Sequence, residues 1–569
     1  MPIEAYCSKI VFNDGTSIDA KPGDIILIVG ANNSGKSLSL RNISDLASGM
    51  ISGPQSVAEI EITRCFDTDQ LYDFLSEFYP TFSQYGSQVY TLPDGHQIQK
   101  IVVDTVLSKN KTTKTLGPLA KLFFKLLDGA TRLSMANATG TIDFETQHKT
   151  HPLHFLYDND SLLDKLSRWF QKAFGVEIAI NFRAGSVIPL HVGKGASLRE
   201  GENPHSPEYR ERLKSIPRLD TQGDGMKSFA GLLLYTLLMD QSIYLVDEPE
   251  AFLHPPQAKL LGRLLAEQLE QRQLIVATHS ADFVRGVLES NRANVKIVRL
   301  RRDSSNNIAR ILTAKQINEI WSDPALRYSN ILDGIFHEKV IVCEADGDCR
   351  FYAAIADALR KDEAHPYVRD LMFTQSGGKG GMPKLIAALR CLDVPIAAVV
   401  DFDVIQQTGQ LNAIINALGG KPDNYAADIK LIKDAINELG GKTVSATKTK
   451  IKEIVDSVPD SEETFPPSIS NEIRKHIKAS PGWHRAKTVG LGILSPGIQK
   501  IAGERLVSDL AKIGLYVVPS GELESFETSI LSRKNEWLAE VLRKHAGQFG
   551  VAIELREANE FVRQFISRA

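Results

Sequence analysis

The stretch Gly30–Ser37, GANNSGKS, constrains this chain more than any other. It fits G-x-x-x-x-G-K-[ST], the pattern of a phosphate-binding loop. The apolar run Ile25–Val29 precedes it and reads as a buried strand, and Leu38–Leu46 follows as the start of a helix. In that context small residues let successive backbone N–H groups wrap phosphate oxygens, and the helix N-terminus adds favourable partial charge. Gly30, Asn33 and Gly35 shape the cradle, Lys36 is expected to reach the outer phosphates, and Ser37 is expected to hold a divalent cation.

The 569 residues leave room for two to four domains, and at 43% apolar and 24% charged they have the composition of large cored domains. The net charge of −3 does not mark a nucleic-acid binder, so any such contact must come from local patches. Five scattered cysteines with no C-x-x-C pair argue against a disulfide scaffold and a cysteine zinc site. The opening MPIEAYCSKI lacks the basic and apolar regions of a secretion signal, and the apolar runs are too short to span a bilayer. A cytoplasmic location is expected.

Two strands flank a turn at Asn13-Asp14-Gly15 and lead into the loop. Almost 200 residues then separate it from the next motif, so 51–220 is expected to be an inserted or dimerisation region between ATPase parts at 1–50 and 221–325. Within it Ala58–Cys65 and Gln97–Val106 have strand composition, while Gln70–Glu77, Pro118–Leu127 and Asp160–Ala173 look helical. Residues 191–222 read as a long loop. From 223 to 290 helices alternate with buried strands, the pattern of an α/β sheet. One strand, Ser242–Val246, ends in Asp247-Glu248. Asp247 is placed to assist the cation and Glu248 to polarise an attacking water as general base. The next, Gln273–Ala277, ends at Thr278-His279-Ser280, where His279 can approach a terminal phosphate.

GANNSGKS, the glycine turn at 223–228, VDEPEAFLHP at 246–255 and ATHS at 277–280 together resemble an ABC-type ATPase head. The branch is the one shared by SMC/RecF-like proteins and the OLD (overcoming lysogenisation defect) nucleases. The resemblance implies ATP and Mg²⁺ as ligands, sandwiched between two heads of a homodimer or higher homo-oligomer. Gly223, Gly225, Lys227 and Ser228 of one subunit would then complete the nucleotide site of the other. The turn reads QGDGMKS where transporters have LSGGQ. No glutamine-bearing loop is identifiable after the first motif, and no extended heptads suggest long coiled-coil arms.

A second unit is expected over 338–569, after a junction at 318–337 and with a mostly helical insert at 409–510. Its strands Val340–Cys343 and Ile396–Val400 run into Glu344, and into Asp401 and Asp403. Acids at such strand ends can converge on the C-terminal edge of a parallel sheet. Their repulsion calls for cations or protons, and oxygen ligands suit Mg²⁺ or Mn²⁺. Asp348 lies one helical turn beyond Glu344, and Glu522 and Glu524 follow a further short strand at Leu515–Val518. Gly377–Gly381 is open to two readings, close approach of a nucleic-acid backbone or a plain flexible loop.

EADGD at 344–348, DFD at 401–403 and PSGELESF at 519–526 resemble a Toprim domain in its OLD-nuclease version. That resemblance implies that Glu344, Asp348, Asp401, Asp403, Glu522 and Glu524 serve one or two metals. It also implies a downstream lysine stabilising the pentacovalent phosphate, for which Lys534 is the choice and Arg533 the neighbouring candidate. Ala345 replaces the usual glycine, which is tolerable at negative φ. The expected fold is α/β: an ABC-type P-loop ATPase with an inserted domain, followed by a C-terminal Toprim domain with a helical insert. The expected function is an ATP-regulated, metal-dependent DNA endonuclease or nickase in antiviral defence, with a second defence protein or retron-derived DNA as partner and no membrane. The alternative is a nucleotide-switched DNA-binding or repair scaffold that does not cut.

Overall fold

The computed structural model describes residues 3–567 except 51–52, 80, 85–86, 93–96, 240, 291, 304–305, 313–315, 318–321, 324–329, 362–364, 440–443, 460–465, 479–480 and 533. Most of the expected junction before residue 330, and the candidate Arg533, therefore lie outside the described residues. The chain divides into two compact units, residues 1–327 and 328–569.

The first unit is built on two sheets. β1 (Ala5–Phe12) pairs antiparallel with β2 (Ser17–Asp19) and with β4 (Val57–Arg64), and the short β5 (Thr112–Thr113) adds to β4. The larger sheet begins with β3 (Ile25–Val29). It also contains β6 (Phe124–Leu127), β7 (Ile243–Asp247), β8 (Gln273–Ala277), β9 (Val295–Asp303) and β10 (Asn306–Leu312). Its order is β10-β9-β3-β8-β7-β6, parallel except for the β9–β10 hairpin. The central strands are buried along their whole length, which explains why they read as continuous Ile/Leu/Val runs rather than alternating ones. Helix α1 (Lys36–Ala47) packs Leu40 and Ile43 into one core with Ile26 and Ile28 of β3 and Ile60 and Ile62 of β4. Gln273 ties the sheets together: its Oε1 accepts from the Cys7 N–H at 2.8 Å and its Nε2 donates to the Cys7 carbonyl at 3.0 Å.

The interval 51–220 is not a separate insert throughout. It supplies β4 to the smaller sheet and β6 to the edge of the larger one. Pro118–Leu127, expected as helix, turns helical only through Phe123 and then pairs as β6 with β7. The four residues of that strand, FKLL, are too few to carry a period that separates helix from strand. Gln97–Val106, expected as strand, is strand only over Gln97–Gln99 and helix over Lys100–Leu107. The expected loop at 191–222 contains the end of a strand (Leu190–Gly193) and a helix (Pro207–Lys214).

Four further helices of this unit bear on the site: α2 (Gly129–Met135), α3 (Asp224–Leu238), α4 (Pro255–Gln268) and α5 (Ala281–Glu289). Side-chain caps start two of them, since Asp128 accepts from the Thr131 N–H and Ser280 accepts from the Phe283 N–H.

The second unit centres on a four-stranded parallel sheet. Its strands are β11 (Lys339–Cys343), β12 (Leu371–Gln375), β13 (Ile396–Val400) and β14 (Leu515–Val517), in the order β12-β11-β13-β14. Helix α6 (Asp346–Leu359) follows β11, and α7 (Met382–Cys391) runs between β12 and β13. Between β13 and β14 the described chain is helical, ending in α8 (Pro481–Val489) and α9 (Ile498–Lys512). The C-terminal helices α10 (Asn535–Lys544) and α11 (Arg556–Ile566) close the core, where Phe351 and Tyr352 of α6 meet Trp537, Phe561 and Phe565.

Candidate functional sites

In the first unit the loop 30–37 closes over the end of β3. Gly35 sits at φ 94° and Gly30 at φ 146°, and a Cβ on Gly30 would lie 2.2 Å from the Leu300 carbonyl, so this path needs glycine. Lys36 is buried and donates to the Gly30 and Ala31 carbonyls at 2.8 and 2.9 Å. Ser37 Oγ donates to Asp247 Oδ1 at 2.8 Å, which joins the two halves of the expected cation site across 210 residues. Asp247 is held above the ordinary carboxylate range, first by burial and then by the neighbouring Glu248 charge. A cavity of about 420 Å³ lies against residues 32–38, with Glu248, Arg302 and Asn307 on its wall.

Glu248 adopts φ 47°, a conformation few non-glycine residues hold, and its N–H donates to the Ala277 carbonyl at 2.8 Å. His279 Nδ1 lies 3.5 Å from Glu248 Oε1 and 3.2 Å from Glu250 Oε1. Glu250, which sequence reasoning did not single out, is buried behind it and accepts from the Thr278 hydroxyl and the His279 N–H, both at 2.8 Å. Burial pushes the Glu250 carboxyl upward.

Sequence reasoning also missed Arg132. This fully buried side chain on α2 donates to the carbonyls of Leu127, Asp247 and Glu248, and from Nε to Ser228 Oγ at 3.1 Å. Ser228, expected to face a nucleotide, is therefore turned inward and is 1% exposed. Gly223 caps α3, Gly225 packs against the Phe252 carbonyl, and Lys227 pairs with Asp224 at 2.7 Å. A lone arginine gives no spacing signal that could have revealed the Arg132 clamp, three of whose four partners lie 96 to 116 positions away.

In the second unit Glu344, Asp401 and Asp403 come together where β11 and β13 end. Glu344 Oε1 accepts from the Asp401 N–H at 3.0 Å. Lys379 Nζ pairs with Asp403 Oδ1 and stands 3.6 Å from Glu344 Oε1. Lys487, on α8, lies 3.4 Å from Glu522 Oε2 and 4.0 Å from Asp403 Oδ2. Asp348 Oδ2 accepts from the Ala345 N–H at 2.9 Å. Burial raises Asp401 well above the usual carboxylate range, reinforced by Glu344, Asp348 and Asp403. Burial likewise raises Glu344 and Asp348, and the Glu524 charge adds to the latter.

Lys534, expected to act through its ammonium, meets Glu524 through its backbone. Its N–H donates to Glu524 Oε1 at 3.0 Å, its φ is 55°, and its side chain is exposed. Lys379 and Lys487 carry the ammonium groups found at the cluster. The signal for Lys379 was its place inside SGGKGG at the end of β12. The donor chemistry, all carboxylate and mutually repelling, fits a hard divalent cation. In spacing, no three Asp, Glu, His or Cys side chains among the described residues form a ready-made cage.

Comparison with known proteins finds likenesses over part of the chain. Residues 202–285 match the family described as "AAA domain, putative AbiEii toxin, Type IV TA system". An OLD nuclease of Thermus scotoductus is 25% identical over 209 residues, covering 35% of this chain and 38% of that protein. The chain thus matches under two fifths of that relative's length. The Smc head bound to the C-winged helix domain of ScpA superposes with a TM-score of 0.33 at 15% identity, covering 56% of this chain and 99% of that one. The SMC head domain of Thermotoga maritima gives 0.29 at 15% identity, covering 55% and 100%. Among the described residues no helix is long and apolar enough to cross a membrane.

Proposed function

We propose that this chain is a nucleotide-regulated, divalent-metal-dependent hydrolase of DNA phosphodiesters. One observation carries the reading: Glu344, Asp401 and Asp403, up to 59 positions apart, converge with a half-buried lysine at the C-terminal edge of a parallel sheet. The sequence resemblance to a Toprim domain and the similarity to an OLD nuclease support it.

In the first unit the 30–37 loop binds the phosphates of ATP, Ser37 and Asp247 are the residues that would hold its Mg²⁺, and Glu248 takes a proton from the attacking water. His279, oriented by Glu250, senses the terminal phosphate. In the second unit Glu344, Asp348 and Asp401 are the residues that would hold a divalent ion. Such an ion supplies Lewis-acid stabilisation of a phosphate and acidifies water. The chain's own part is to exclude bulk water from Asp401, to fix Glu344 through the Asp401 N–H, and to present Lys379 and Lys487 to an anionic backbone. The biological side of the proposal is antiviral defence by a homo-oligomer paired through its ATPase heads, with a second defence protein or retron-derived DNA as trigger.

The test is cleavage of plasmid, linear and single-stranded DNA with Mg²⁺ or Mn²⁺, with and without ATP. Cutting by the native chain, abolished in Glu344→Gln and Asp401→Asn that still fold, is the expected result. A folded native chain that binds DNA under every condition and cuts none would replace this reading with the scaffold one.

A further inference from the structure

We infer that Lys379 is a permanent second cation of the acidic site, so that the site takes one divalent ion rather than two. The inference rests on the metal-dependent reading above and specifies the charge arrangement of that same site.

The carboxylates divide into two sets. Asp403 is engaged on both oxygens: Lys379 pairs with Oδ1, and Lys487 stands 4.0 Å from Oδ2. Glu522 shares Lys487 at 3.4 Å. Asp348 and Asp401 make no ion pair among the described residues, and Glu344 lies between the two sets, 3.6 Å from Lys379. A divalent ion is therefore favoured on the side of Glu344, Asp348 and Asp401. A second ion at Asp403 would have to displace or crowd two ammonium groups.

The fold itself builds this placement. The Lys379 side chain is 9% exposed, unlike an ordinary surface lysine. Gly377 and Gly378, at φ 69° and 101°, turn the chain through conformations that favour glycine. The loop is pinned to the end of β11: the Ser376 hydroxyl donates to the Cys343 carbonyl at 3.0 Å, and the Gly378 N–H donates to the Glu344 carbonyl at 2.9 Å. SGGKGG is thus neither a plain flexible loop nor only a passage for a backbone. It delivers one positive charge to a fixed point, where that charge faces the acids and any phosphodiester they receive.

The experiment counts Mn²⁺ ions on the full-length chain without nucleotide, by calorimetry and by electron paramagnetic resonance. Only ions lost in the double variant Asp401→Ala, Asp403→Ala are counted as belonging to this site. One ion is expected in the native chain and in Lys379→Arg, and two in Lys379→Met. Two ions in the native chain, or an unchanged count in Lys379→Met, would overturn the inference while leaving metal dependence intact. No ion lost in that double variant at all would overturn both together. Thermal melts monitor folding of the variants, and should Lys379→Met not fold, the native count still decides.

Discussion

Arg132 shows how one side chain can govern chemistry it does not touch. Its guanidinium satisfies the carbonyls of Asp247 and Glu248 just where Glu248 takes a left-handed conformation, so it fixes the peptide planes that aim Glu248, the proposed general base. Arg132→Met is expected to lower ATP turnover by about 10²-fold, the typical cost of misplacing a reacting group. ATP affinity should stay within about threefold, and Arg132→Lys should recover part of the loss. Phosphate release and fluorescent-nucleotide titration separate the two quantities. Glu248→Gln should likewise keep ATP binding and slow hydrolysis by about 10²- to 10⁴-fold. At the other site Asp401 has a folded pKa raised above its unfolded value. Its contribution to stability is therefore full below the unfolded value and is lost as pH rises through the folded one. Without added metal, Asp401→Asn should melt higher than the native chain at pH 7–8 and similarly near pH 4, as read by scanning calorimetry. The loop 30–37 and the strand-end acids were legible because their chemistry is written in contiguous residues after apolar runs. Arg132, Glu250 and Lys487 were not, because each owes its role to partners brought close only by folding, and Lys379 was marked only by its glycine-rich setting. Lys534 meets Glu524 through its backbone N–H, a contact that its local pattern does not announce.

At the scale of elements, strands buried on both faces announced themselves, whereas short apolar segments did not. Phe124–Leu127 has the length and composition of a helix end, and only its ladder with β7 decides that it is a strand. The turn after β14 is equally a product of packing. Gly521 sits at φ 119°, a Cβ there would lie 2.3 Å from the Lys487 carbonyl, and Gly490 is pressed against Pro519 in the same way. Two glycines thus let α8 approach the segment that carries Glu522. Gly521→Ala is expected to cost about 1–3 kcal/mol, measured by urea unfolding. It should also separate Lys487 from Glu522 and lower phosphodiester cleavage.

At the scale of the whole molecule, two units have their own sheets and cores, and the proposed function gives each its own phosphate chemistry. If paired heads share nucleotide, Glu248→Gln should form dimers with ATP and revert on nucleotide removal, as measured by light scattering after gel filtration. A mass that stays at one chain under saturating ATP would count against head pairing. The course of the chain through 51–220 also limits how such proteins can be recombined. A chimera that exchanges the whole interval for a relative's segment takes with it the sheet's edge strand β6 and the Arg132 clamp. A graft begun after α2 and ended before Leu219 leaves both in place, so the natural seam for domain shuffling lies inside the interval rather than at its borders.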